Sequence, residues 1–124
     1  MVFLKIWKKL GLFCLGGGAY VALELLWRGR SHYSMFLAGG TCFLLLGILR
    51  RMKLPLLIKA GAGALTITAV ELVAGWIFNR DYSVWDYRAL PFNFQGQICA
   101  MFTLLWIPVS IMAMALYDVV DRKI

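Results

Sequence analysis

Glu24, Arg28, His32, Glu71, Asn93 and Gln97 are side chains that bind ions or move protons, and all stand within or beside strongly apolar stretches. An ionised carboxylate in such surroundings is costly unless it is paired or wet. Tyr20, Glu24 and Arg28 fall at i, i+4 and i+8, hence on one helix face, with the acid on the favourable N-terminal side of the base. Ala60, Ala64, Thr68, Glu71 and Gly75 form a small, partly polar stripe that suits close helix approach. The segment RGRSHYS packs Arg28, Arg30 and His32 together, with Ser31 or Ser34 able to cap the helix that follows. In PFNFQGQ, Asn93 and Gln97 are four apart, and Gly96 lets a neighbour come near.

The chemistry open to this set is ion or proton binding. Glu24 and Glu71 would take a cation or exchange protons, and Arg28 and His32 would tune them or hold an anion. Glu71 with His32 could also act as acid and base on a lipid or small amphiphile. A third possibility is that Glu24–Arg28, and Glu71 with His32 or Arg30, are internal pairs that hold helices in register. No Ser/His/Asp or Cys/His spacing points to covalent catalysis, and no fixed ligand spacing points to a metal or other cofactor. Cys14, Cys42 and Cys99 lie in apolar runs without a CxxC pair and read as packing residues.

These residues must be positioned by membrane helices. The 124 residues are 62% hydrophobic and only 15% charged, against about 25% charged in a soluble domain. A core this small cannot hide that apolar excess. Four stretches of suitable length follow, at about 10–27, 34–49, 54–78 and 92–117. The expected fold is therefore all-α, a single transmembrane domain over 1–124 built as a four-helix bundle. Pro108 interrupts the fourth span, where a kink near Thr103–Leu105 is expected. At 1.5 Å per residue, Glu24 lies ~5 Å and Glu71 ~11 Å from one common end of their spans.

Charge gives the orientation. Lys5, Lys8, Lys9, Arg50, Arg51, Lys53, Lys59, Arg122 and Lys123 collect on one side, and Arg28, Arg30, Arg80 and Arg88 on the other. Both termini are thus expected in the cytoplasm, at the plasma membrane, with the net charge of +7 directed at anionic lipid and not at nucleic acid. The outer side, where Glu24, Glu71, Asp81 and Asp86 balance four bases, holds the polar cluster. Trp7 suits the inner interface, and Trp27, Trp85, Tyr82 and Tyr87 the outer one. Trp106 falls mid-span and is expected inside the bundle.

The segments ELLWRGRSHYSMFLAGG, ELVAGWIFN and WDYRALPFNFQGQICAMFTLLW resemble a small bacterial membrane family described as Putative ABC-transporter type IV. That family is similar in turn to small four-span transmembrane proteins of animals. The resemblance runs from about Gly17 to Tyr117. Its motif positions here include Glu24, Arg28, Ser31, His32, Ser34, Met35, Gly39, Gly40, Glu71, Gly75 and Asn79. They continue through Trp85, Asp86, Tyr87, Pro91, Asn93, Gly96, Gln97, Cys99 and Trp106. Arg88 departs from the small polar residue expected after WDY, which alters the charge of that loop. The resemblance implies transport, with Asn79, Trp85, Asp86 and Tyr87 supporting the site beside Tyr20, Ser31 and Ser34. Against a conventional ABC permease, there is no GxxxxGK[ST] run, and the Arg50–Lys53 loop is too short for a coupling helix, so a partner ATPase stays open as an expectation but is not indicated. A transporter or channel subunit is the favoured expectation. Four short spans enclose little space, so a homo-oligomer would line the pathway.

Overall fold

The computed structural model describes residues 2–123. Its elements are α1 (Val2–Arg28), α2 (Tyr33–Leu49), α3 (Leu56–Phe78), a short hairpin of β1 (Asn93–Phe94) and β2 (Ile98–Cys99), and α4 (Ala100–Lys123). The architecture is all-α apart from that hairpin. α1 from Lys5 onward, α3 and α4 are each long and apolar enough to cross a membrane, whereas α2 has 17 residues.

α1 and α2 form a hairpin locked by aromatic rings in glycine notches. Gly16 faces Phe43, Gly17 faces Phe36, Gly39 faces Tyr20 and Gly40 faces Phe13. The residue numbers in each pair sum to nearly the same value, as antiparallel helices require. A Cβ at Gly17 would collide with the Phe36 carbonyl oxygen, while one at the adjacent Gly18 would meet nothing within 4 Å. Gly17→Ala should therefore cost about 2 kcal/mol through overpacking. Gly18→Ala should be neutral or stabilise by up to ~1 kcal/mol through helix propensity. Thermal unfolding of the two variants in detergent checks the contrast.

α3 and α4 make the second seam, and polar groups on it are matched. Thr68 and Thr103 share a hydroxyl–hydroxyl bond of 3.0 Å, and Ser110 Oγ donates to the Ala60 carbonyl at 3.0 Å. Gly63 makes room for Ser110, and Ala60, Ala64, Thr68, Glu71 and Gly75 are all buried, so the small stripe does face protein. α4 runs through Pro108 as one helix. Where α2 stops, Arg50 donates to Asp118 at 2.6 Å and Asp121 at 2.9 Å, and its guanidinium lies 4.4 Å from the Tyr117 ring centre. Lys9 donates to the Tyr117 hydroxyl at 2.9 Å, and Lys8 pairs with Asp121 at 2.7 Å.

Two expectations need correction. The apolar stretch from 92 does not begin a helix there: PFNFQGQIC turns back on itself and α4 starts at Ala100 and continues to Lys123. Gln95 and Gly96 both have positive φ, 55° and 68°, and Gln97 N–H donates to the Phe94 carbonyl, which makes the tight turn of a hairpin that pairs Asn93 with Cys99 and Phe94 with Ile98. Asn93 Oδ1 accepts from Gly96 N–H at 2.9 Å and fixes that turn. Asn93 and Gln97 therefore do not lie one helical turn apart. Trp85, expected at an interface, is instead only 5% exposed.

Candidate functional site

Glu24 and Arg28 pair one turn apart near the end of α1. The same guanidinium donates through Nη1 to the Val84 carbonyl at 2.6 Å, so the pair also ties α1 to the loop between α3 and β1. The Glu24 charge is thereby matched within its own helix.

Glu71 is different. It is 7% exposed, and its Oε2 accepts from the Tyr87 hydroxyl at 2.9 Å. Among the described residues no Lys, Arg or His forms an ion pair with it. Burial first, and then the neighbouring Glu71 carboxylate, hold the Tyr87 phenol well above its ordinary range, so it stays protonated and serves as a donor. The indole of Trp106 lies close enough to influence the Glu71 carboxyl, yet its N–H is buried without a well-formed hydrogen bond.

Glu24, Arg28 and Glu71 border one cavity of ≈ 70 Å³, whose walls include Tyr20, Tyr87 and Trp106. The cavity opens between α1, α3, α4 and the loop. Trp85, also on its wall, donates its indole N–H to the Gln97 carbonyl at 2.8 Å.

The loop is held against α3 by a fully buried amide pair. Asn79, the residue that ends α3, is 0% exposed, and Gln97 is 4% exposed. Asn79 Nδ2 donates to the Trp85 carbonyl at 2.6 Å and to Gln97 Oε1 at 2.9 Å. Its Oδ1 accepts from Val84 N–H at 2.8 Å and Trp85 N–H at 3.1 Å, and Gln97 Nε2 donates to the Asn79 carbonyl at 2.9 Å. Gly75 leaves the space that Gln97 fills.

The structure thus divides the residues singled out in the sequence. Glu24, Arg28, Glu71, Tyr20, Trp85 and Tyr87 converge on the cavity. Asn79 and Gln97 build its supporting clamp, and Asn93 shapes the hairpin turn.

His32 stands apart from the cavity as the N-cap of α2. Its Nδ1 accepts from Ser34 N–H at 3.1 Å and meets Ser34 Oγ at 2.8 Å, the task expected of a serine. Ser31 Oγ is buried without a partner. Asp86 is exposed and bonded to Arg88, whose side chain and backbone N–H hold its carboxyl down at about 2. Glu71 pairs with neither His32 nor Arg30.

Trp27, Met35 and Phe102 complete the cavity wall. Sequence reasoning did not assign them to the site, although Phe102 and Trp106 stand at i, i+4 on α4. Cys42 and Cys99 are buried packing residues as expected, but Cys14 is exposed. Among the described residues no group of three His, Cys, Asp or Glu side chains is placed to hold a metal.

No curated protein and no solved structure matches the chain. The family model described as Putative ABC-transporter type IV matches residues 19–124, which takes in every side chain bordering the cavity. The chain belongs to this family.

Proposed function

We propose that this protein is a small four-span transporter or channel subunit of the plasma membrane, with both termini cytoplasmic, in which Glu71 takes up a cation or a proton from the outer side. The observation that carries this reading is a buried carboxyl whose direct partner is a neutral phenol, set beside a cavity. Such a group must either keep its proton or be met by a positive charge from outside, and intramembrane ionisable residues of this kind mark ion pathways. The nine basic residues gathered at one side support the orientation. α2, at roughly 25 Å, is short for a hydrocarbon layer of about 30 Å and would span only with its ends at the interfaces.

A cavity of ≈ 70 Å³ is not a through-passage, which favours a homo-oligomer whose copies complete the pathway. Anionic lipid on the cytoplasmic side is the expected bilayer partner. The test is flux in proteoliposomes, read with a pH-sensitive dye and with potassium or alkylammonium gradients. Wild-type protein should give flux above empty liposomes, and Glu71→Gln should reduce it to that background. Absence of wild-type flux, or equal flux in the variant, overturns the reading. If Glu71→Gln only lowers the melting temperature, the carboxyl is helix–helix glue and not a transport group.

A further inference from the structure

The geometry points to a small organic ammonium ion as the guest of the Glu71 cavity, a proposal that rests on Glu71 being the binding group. Four aromatic rings on its wall form a continuous run. Tyr87 stacks on Phe102 with centroids 4.9 Å apart and planes at 16°. Phe102 lies 6.3 Å from Trp106, and Trp106 meets Tyr20 edge-to-face at 6.3 Å and 84°. All four border the cavity into which Glu71 is set. Aromatic faces carry negative potential and attract an alkylated cation within ~6 Å, and a carboxylate beside them supplies the full charge.

The charge balance selects a monovalent guest. Arg28 already matches Glu24, which leaves Glu71 as the one acid at the cavity without a basic partner among the described residues. The lining also argues against a metal cation. Hard ions such as calcium and magnesium are held by about six or more oxygens. Here the Glu24 oxygens are taken up by the Arg28 guanidinium, which leaves those of Glu71 and the two phenols, among carbon and indole. A cavity of ≈ 70 Å³ limits the guest to a small ion of a few heavy atoms. The buried indole N–H of Trp106 makes no well-formed hydrogen bond although the Glu71 carboxyl lies near, and a guest with an oxygen close to its nitrogen would give it an acceptor. A free amino alcohol and an ethanolamine lipid headgroup share that chemistry.

Isothermal titration of the full chain in phosphatidylglycerol nanodiscs tests this with ethylammonium, ethanolammonium, sodium and potassium chlorides. We expect saturable binding of both organic ions, tighter for ethanolammonium, without competition from sodium or potassium. Glu71→Gln should abolish it, and Trp106→Leu or Phe102→Leu should each weaken it about five- to thirty-fold. Melting curves establish that each variant is folded.

Adding phosphatidylethanolamine to the nanodiscs identifies the source. A fall in apparent affinity means that the headgroup competes for the cavity, and unchanged affinity means a water-soluble amine; both retain the ammonium guest. No saturable binding, equal binding of potassium, or wild-type affinity in both folded aromatic variants overturns the proposal. Glu71-dependent proton or potassium flux without ammonium binding would remove this proposal alone. Ammonium binding without flux would remove the transport reading alone.

Discussion

Asn79→Ala should destabilise the protein by about 4 kcal/mol, the largest loss expected of any single truncation at the clamp. Its amide makes four hydrogen bonds to Val84, Trp85 and Gln97, and all of its surface is buried. Removing it strands two backbone N–H groups, a carbonyl and the Gln97 Oε1 where water has little access. Each stranded buried group costs about 1–3 kcal/mol, and relaxation of the exposed loop beyond Trp85 recovers part of the sum. Asn79→Asp keeps the acceptor for Val84 and Trp85 but loses both donors and aims negative charge at two oxygens, so it should not rescue. Melting in detergent, followed by circular dichroism, checks both variants. A shift as small as that of an exposed asparagine would mean that the clamp is not formed.

Arg50→Leu should cost about 3 kcal/mol, the second large effect. The Arg50 side chain is 9% exposed and bridges Asp118 and Asp121 of α4 while covering the Tyr117 ring. It also donates to the carbonyl of Gly47, where a bare α-carbon lets Tyr117 come close. Loss of one partner from a largely buried pair costs about 3–5 kcal/mol. The lower end applies because Asp118 is 56% exposed and Lys8 remains on Asp121. Arg50→Lys should recover little, because an ammonium cannot span two carboxylates with a planar fork or lie flat on the phenol ring. Equal melting temperatures for Arg50→Lys and wild type would show that only the charge counts.

What the sequence made legible is the part of the fold written in period and composition. Glu24 and Arg28 are readable as a pair because four residues bring them one turn apart, and the α3 stripe is readable because small residues recur along one face. The hairpin before α4 was not readable in that way. Phe92, Phe94, Ile98 and Cys99 continue an apolar run, and the turn is made by Gln95 and Gly96, with a positive φ on a glutamine that composition does not announce.

His32 misled for a related reason. An imidazole nitrogen can cap a helix as a serine oxygen does, and residue type alone does not separate that role from ion binding. The pairing of Glu71 with Tyr87 spans 16 residues of chain and depends on the Asn79 clamp, so it appears only once the loop is folded.

The clamp also bears on how the chain is made. The α1–α2 hairpin closes through contacts between residues 13 and 43, all synthesised early. Glu71, by contrast, has to wait for Tyr87, and Asn79 for Gln97, before either is satisfied. On the ribosome the carboxyl of α3 therefore emerges well ahead of the residues that shelter it. That interval is when a membrane chaperone would best protect the nascent chain, and when a quality-control protease would recognise a failed one.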